Sequence, residues 1–239
     1  MTPAIVLQNL TKRYGDRIVV DHLNFSIAQG ELFALLGVNG AGKTTTIKML
    51  SCLTRPTSGD AQILGHSVTN DAINVKKRIN VSPQETAVAP NLSVKENLLL
   101  ICGLYGDDKK TAREKTAQMI ERLGLQDVEK RRAATLSGGW QRRLSIAMAL
   151  CSDPKVLFLD EPSLGLDVLV RRELWDVIRE LKGHVTIVLT THYLEEAEAL
   201  CDRVGVMAHG RLVAVGTPRE LIEKTNKASF EDAFVELCR

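Results

Sequence analysis

The sequence predicts an α/β fold with a largely parallel central sheet, an antiparallel β region near the N-terminus and an inserted helical segment. Three observations predict it. "ELFALLG" is a continuous apolar run and "KVLFLDEP" is the most apolar strand candidate, the pattern of strands covered on both faces. Strand and helix patterns alternate through the C-terminal half, which is how a chain adds parallel strands. From about Glu85 to Ala149 the strand signals stop and helix signals dominate.

The elements follow in order. "AIVLQNLTKRYG" and "RIVVDHLNFSIAQGE" read as β-branched, partly alternating strands, broken at Tyr14-Gly15-Asp16 and Gln29-Gly30. After "ELFALLG" a helix is expected from about Lys43 to Leu53. "SGDAQILGHSV" returns to strand and turn, and "RINVSPQ" is a short strand ended by Pro83. Ser93-Val94-Lys95-Glu96 forms a capping box ahead of "NLLLICGLYG". "KKTAREKTAQMIERLG" carries helical spacing through Ala112, Met119, Ile120 and Leu123, and stops at Gly124. A further helix runs from the glycines of "LSGG" into "LSIAMALC". Beyond "KVLFLDEP", "RRELWDVIRELKG" is a helix, "VTIVLTTH" a strand and "YLEEAEALC" a helix. "RVGVMAHGRLVAVG" is a hairpin turning at His209-Gly210. Thr217-Pro218-Arg219-Glu220 is a second cap, with proline at the first helical position. The expected organisation is a single domain over 1–239. Residues 1–84 and 150–239 form its α/β core, and 85–149 form a helical subdomain. No internal repeat or low-complexity linker interrupts it.

Composition narrows the function classes. At 239 residues the chain suits one domain with an insertion. Net charge is +2 with signs interspersed, so runs such as Lys76-Lys77-Arg78 and Lys130-Arg131-Arg132 read as solvated faces. No nucleic-acid partner is expected. The five cysteines are scattered, none in a C-x-x-C pair, which suggests neither zinc nor a disulfide framework and fits a reducing cytosol. The N-terminus lacks a secretory pattern, and no apolar run approaches the roughly 18–20 residues of a membrane span. A membrane role would therefore run through a partner.

Two glycine stretches carry the chemistry. Gly37-Val38-Asn39-Gly40-Ala41-Gly42-Lys43-Thr44 fits G-x-x-x-x-G-K-[ST], with a buried strand before it and a helix after it. Glycines let the backbone fold around phosphates so that successive N–H groups point at oxygens. Lys43 would reach the β- and γ-phosphates, and the Thr44 hydroxyl would hold Mg²⁺. A P-loop NTPase core is thus expected. Asp160 and Glu161 end the "VLFLDEP" strand, where ligands sit in open α/β sheets. One carboxylate can serve Mg²⁺, and the next can orient or deprotonate an attacking water. The second stretch, "LSGGWQRR", is built for an anion as well: free N–H groups at the positive end of a helix. One chain with one nucleotide has no evident use for it.

The order P-loop, "SPQ", "LSGG", "LDEP", "LGLD", "TTH" resembles the nucleotide-binding subunit of an ABC transporter, over nearly the whole chain. "THYLEEAE" and the tail "FEDAFVELC" are most similar to the ABC-2 group of drug, antibiotic or lipid exporters. The resemblance implies ATP and Mg²⁺ as ligands. It implies that Tyr14 stacks on adenine and that Gly37, Asn39, Gly40, Ala41, Gly42, Lys43, Thr44 and Thr45 hold phosphates. It also implies that Gln84 senses Mg²⁺ and the attacking water, and lies where transport subunits dock. Ser137, Gly138 and Gly139 match the signature motif, which reads the nucleotide of a second chain. Asp160 matches the Mg²⁺-associated aspartate, Glu161 the general base, Asp167 the loop crossing the dimer interface and His192 the switch histidine at the γ-phosphate.

The implied assembly is two ATP-binding chains, identical or similar, with an integral membrane transport subunit, at the cytoplasmic face of the membrane. Val38, Trp140, Ser163 and Val168 depart from common family residues without removing a catalytic group, and Trp140 would alter packing at the dimer interface. A soluble ABC ATPase, as in iron–sulfur cluster assembly, is the alternative. A GTPase is unsupported, because Asn226-Lys227-Ala228-Ser229 lacks the aspartate of a guanine motif.

Overall fold

The computed structural model describes residues 3–239. The chain begins with β1 (Pro3–Tyr14), β2 (Arg17–Ala28) and β3 (Leu32–Leu36), followed by α1 (Lys43–Leu50), β4 (Ser58–Ile63), β5 (His66–Ser67), α2 (Ala72–Lys76) and β6 (Ile79–Ser82). A helical run follows: α3 (Val94–Leu104), α4 (Lys109–Arg122) and α5 (Gly138–Leu150), with two short 3₁₀ turns between the last two. The chain then alternates through β7 (Val156–Asp160), α6 (Val168–Leu181), β8 (Thr186–Thr191) and α7 (Leu194–Leu200). It finishes with β9 (Arg203–Ala208), β10 (Arg211–Gly216), α8 (Pro218–Thr225) and α9 (Phe230–Cys238).

Two sheets result. An antiparallel sheet has the order β2-β1-β4-β5, and a six-stranded sheet has the order β10-β9-β3-β8-β7-β6. In the latter every pairing is parallel except β9 with β10. Side chains of the parallel strands alternate between two cores, as a period of two requires. Leu32, Ala34, Leu36, Leu157, Leu159, Ile187 and Leu189 join the helices in one cluster. Phe33, Leu35, Val156, Phe158 and Val188 face the antiparallel sheet and α1 in the other. Both faces being covered is why these strands lack polar alternation.

The caps read from sequence are present. Ser93 and Glu96 exchange reciprocal bonds at the start of α3, and Thr217 and Glu220 do so at α8. Two expectations differ. The helix after the P-loop ends at Leu50 rather than Leu53, because Cys52 turns left-handed at φ +55 and the N–H groups of Leu53 and Thr54 fold back onto the Lys48 carbonyl. The tail read only as "FEDAFVELC" forms α9, capped by Ser229 and anchored by buried Phe230 and Ala233.

Candidate functional site

Parallel strands place their carboxyl ends on one edge, and the sequence motifs follow those ends. Gly37 follows β3, Gln84 lies just beyond β6, Glu161 follows β7 and His192 follows β8. The register aligns them: Leu36 pairs with Thr191, Asp160 with Thr190 and Ser82 with Leu159. Residues far apart in sequence therefore meet at one crevice.

That crevice is a cleft of about 430 Å³, lined by Asn39 through Thr45, Gln84, Glu161 and His192, together with Val19 and Leu164. The loop that shapes it depends on its glycines. Gly40 and Gly42 are left-handed, at φ +82 and +104. A Cβ at Gly42 would also lie 2.7 Å from the Val19 carbonyl oxygen, so glycine is required there on two counts. Gly42 caps α1 with no side-chain hydrogen bond, leaving the helix's first N–H groups to face the cleft.

Lys43 is buried. Its Nζ donates to the Gly37 carbonyl at 2.7 Å and lies 3.3 Å from Glu161 Oε1. Glu161 Oε2 accepts from His192 Nδ1 at 2.8 Å. The Glu161 backbone is left-handed at φ +48, a conformation costing roughly 1–2 kcal/mol for a residue with a side chain. It is held there by bonds from its N–H to the carbonyl and hydroxyl oxygens of Thr190, at 3.1 and 3.0 Å. Asp160 Oδ1 accepts from the Thr44 hydroxyl at 3.2 Å and also from the Thr190 hydroxyl.

The second glycine stretch lies elsewhere. Ser137, Gly138 and Gly139 do not line the cleft. Ser137 is the N-cap residue of α5 and makes no side-chain cap bond. Gly139 is buried, and a Cβ there would lie 2.3 Å from Val170 Cγ1 on α6, so this glycine also sets how closely two helices pack. Asp167 caps α6, accepting from the N–H groups of Leu169 and Val170 at 3.0 and 3.1 Å. Trp140 is engaged within its own chain, with the Arg143 guanidinium 4.9 Å from its ring centroid and Arg143 bound in turn to Glu173 at 2.7 Å. Tyr14 is half exposed and outside the cleft lining, with Lys12 Nζ 4.9 Å from its ring centroid.

Residues 20–164 match the ABC transporter family model. The chain belongs to the ABC transporter family. Among its curated relatives, the Nod factor export ATP-binding protein I of Burkholderia orbicola is 44% identical over 220 residues, covering 92% of this chain and 72% of that protein. The daunorubicin/doxorubicin resistance ATP-binding protein DrrA of Streptomyces peucetius is 43% identical, over 92% of this chain and 67% of its own length. The doxorubicin resistance ATP-binding protein DrrA of Mycobacterium tuberculosis is 41% identical, over 98% of this chain and 70% of its own. Two solved structures agree in fold. An ATP-binding subunit of an ABC transporter superposes with TM-score 0.86 at 28% identity, covering all of both chains. The cbiO1 chain of Clostridium perfringens, part of the transporter complex cbiONQ, superposes with TM-score 0.85 at 25% identity, over 94% of this chain and 92% of that one.

The chain is thus an ABC ATPase, and the cleft suits the family's ligand. Thr44 and Gln84 line the cleft and the Thr44 hydroxyl donates to Asp160 Oδ1 at 3.2 Å, which together give a hard oxygen donor set of the kind Mg²⁺ takes alongside substrate phosphates. Among the described residues, no cluster of three or more His, Cys, Asp or Glu is placed to hold a metal by itself. Mg²⁺ bound through nucleotide phosphates needs only one or two carboxylates.

Sequence reasoning missed several groups that shape the site. Thr190 links Asp160 to the Glu161 backbone, and only its place in "TTH" hints at this. Val19 and Leu164 line the cleft without a motif of their own. Arg142 lies five residues beyond Ser137, and its guanidinium donates to the carbonyls of Pro83 and Gln84, each at 2.6 Å.

Proposed function

We propose that this ABC ATPase closes with a second copy, or a similar chain, around two ATP molecules, and that closure and hydrolysis drive export through a separate membrane-spanning partner. The observation that carries this reading is the separation of the two anion-reading stretches. Ser137 to Gly139 stand outside the cleft that holds Lys43, so they serve a nucleotide on another chain. ATP touching both chains stabilises only the closed pair.

In this reading the Asn39-to-Thr45 loop and Lys43 bind the phosphates, and Tyr14 stacks on the base. Thr44, Asp160 and Gln84 would hold Mg²⁺, which supplies charge neutralisation on the phosphate oxygens. Glu161 accepts the proton of the attacking water, and His192 orients Glu161 and contacts the γ-phosphate. Asp167 sits in the loop that crosses to the second chain. The Lys43–Glu161 contact gives binding a local consequence. A γ-phosphate arriving at Lys43 competes with the Glu161 carboxylate, freeing that oxygen to face the water.

The membrane partner would dock beside Gln84. A groove of about 130 Å³ lies there, lined by Pro83, Ala87, Ile101, Tyr105 and Met148 among others. Leu100, Leu104 and Tyr105 present exposed apolar surface nearby. Among the described residues no helix is long and apolar enough to cross a membrane. The position proposed is peripheral, at the cytoplasmic face, through the membrane partner. The names of the relatives, one for Nod factor export and two for drug resistance, support export. The test is a pull-down from detergent-solubilised membranes of the native host. Co-purification of one integral membrane protein, with ATP turnover raised in its presence, is expected. Recovery of soluble partners alone would instead place the chain with the non-transport ABC ATPases, such as those of iron–sulfur cluster assembly.

A further inference from the structure

Arg142 is a buried arginine, 5% exposed, on the second turn of α5. Among the described residues it forms no ion pair with a carboxylate within 4.0 Å. Its two terminal nitrogens instead donate to successive backbone carbonyls, Pro83 and Gln84, at 2.6 Å each. Burial pulls the guanidinium below the usual arginine range, opposed by the charges of Asp160 and Glu196. A planar fork spent on two adjacent carbonyls fixes the direction of that backbone segment, which a single-point ammonium does not do.

A second contact on the same face of α5 reinforces the grip. Ser145, three residues along, pairs its hydroxyl with that of Ser82 at 2.9 Å in a buried position. Helix α5 therefore holds three consecutive residues, Ser82, Pro83 and Gln84. The same helix begins at Ser137. Its first turn is braced as well, because the Gln141 amide donates to the carbonyls of Ala133 and Leu136 at 3.2 and 3.3 Å.

We propose that Arg142 is a positioning residue that ties the phosphate-facing start of α5 to Gln84, so that engagement of Ser137 by a second chain's nucleotide sets the Gln84 geometry in this chain's own cleft. The proposal rests on the role given to Gln84 above. The start of α5, outside the cleft, would then be coupled to Gln84 within it through one buried guanidinium, a helix and two carbonyls.

The test is ATP turnover by the purified full chain, titrated with Mg²⁺ and with ATP, for the wild type, Arg142→Lys, Gln84→Ala and the double variant. Arg142→Lys keeps the charge and most of the stem but loses the fork. It is expected to raise the Mg²⁺ concentration for half-maximal turnover by about 3–10-fold, as Gln84→Ala does, with the melting temperature little changed. The double variant should shift no further than Gln84→Ala alone, because coupled residues fail to add. An unchanged Mg²⁺ dependence in Arg142→Lys, or shifts that multiply in the double variant, would overturn the inference while leaving Gln84 in place. An unchanged dependence in Gln84→Ala would remove the Gln84 reading and the inference together. Amide exchange on the wild type needs no variant to fold. Mg²⁺–ATP should protect residues 84–87 and the first turn of α5 together, and protection of 84–87 alone would contradict the coupling.

Discussion

Lys43 Nζ lies 3.3 Å from Glu161 Oε1, and both side chains are buried. The residue proposed to read phosphate and the residue proposed to act on the water thus hold each other. Replacing Glu161 with Gln keeps the shape and removes the charge that competes for Lys43. ATP affinity, read by equilibrium binding, is expected to be retained or improved. Turnover is expected to fall by about 10²–10⁴-fold, the range of a lost general base. Lys43→Ala should do the reverse in binding, since it leaves the Glu161 carboxylate facing the phosphates with no cation between them.

Gly139 predicts a packing effect separable from nucleotide binding. Gly139→Ala places a Cβ 2.3 Å from Val170 Cγ1, and overpacking of this kind costs about 1–3 kcal/mol. Chemical denaturation should show that loss. Val170→Ala in the same chain should restore much of it, because the clash is with that one methyl group. Failure of Val170→Ala to rescue would mean that α5 and α6 do not meet as described.

Glu196 predicts a pH dependence of stability. It is fully buried on α7, where its Oε1 accepts from the Ser163 hydroxyl at 2.7 Å and the Trp175 indole at 3.1 Å. Burial pushes its carboxyl above the ordinary glutamate value of 4.5, with the charge of Glu161 adding to the effect. A raised folded-state pKa means that the folded protein holds this proton more tightly than the unfolded chain does. The stability contributed is therefore full below about 4.5 and declines as pH rises toward the raised value. Glu196→Gln keeps the acceptor oxygen and has no charge to bury. Thermal melts across this range should show Glu196→Gln gaining on the wild type as pH rises. A variant-minus-wild-type difference in melting temperature that stays constant or falls as pH rises would refute the assignment.

Thr190 predicts a cost at the carboxylate end of the cleft. Its hydroxyl donates to Asp160 and accepts from the Glu161 N–H. Thr190→Val keeps the volume of this fully buried side chain but leaves a carboxylate oxygen without one donor. A loss of about 1–3 kcal/mol in stability is expected, together with lower turnover, since the left-handed Glu161 backbone loses one of its two holds. Wild-type stability and turnover in this variant would show that Thr190 has no such role.

What the sequence makes legible follows from where the chemistry is stored. Gly40, Gly42 and Lys43 sit in one contiguous motif, so their spacing alone places them at a strand end beside a helix. Asp160, Glu161 and His192 are legible because parallel strands bring their carboxyl ends to one edge whatever the loop lengths between them. Arg142, Thr190 and Glu196 are not legible in the same way. Each works through a partner dozens of residues away, and nothing local marks a buried arginine as the ligand of two carbonyls. Gly139 is an intermediate case, since its type fits the proposed anion site but the contact with Val170 appears only when α5 and α6 pack. Helix α9 is hard to read because its amphipathic pattern is short, although the Ser229 cap lies in plain view.

The most direct measurement is the mass in solution of Glu161→Gln with and without Mg²⁺–ATP, by light scattering on a sizing column. A single chain of 26.3 kDa is expected without nucleotide, and twice that mass with it. Adding Ser137→Arg to the same chain should abolish the dimer while ATP still binds at Lys43. A Glu161→Gln protein that binds ATP yet stays a monomer, or a dimer indifferent to Ser137, would contradict it.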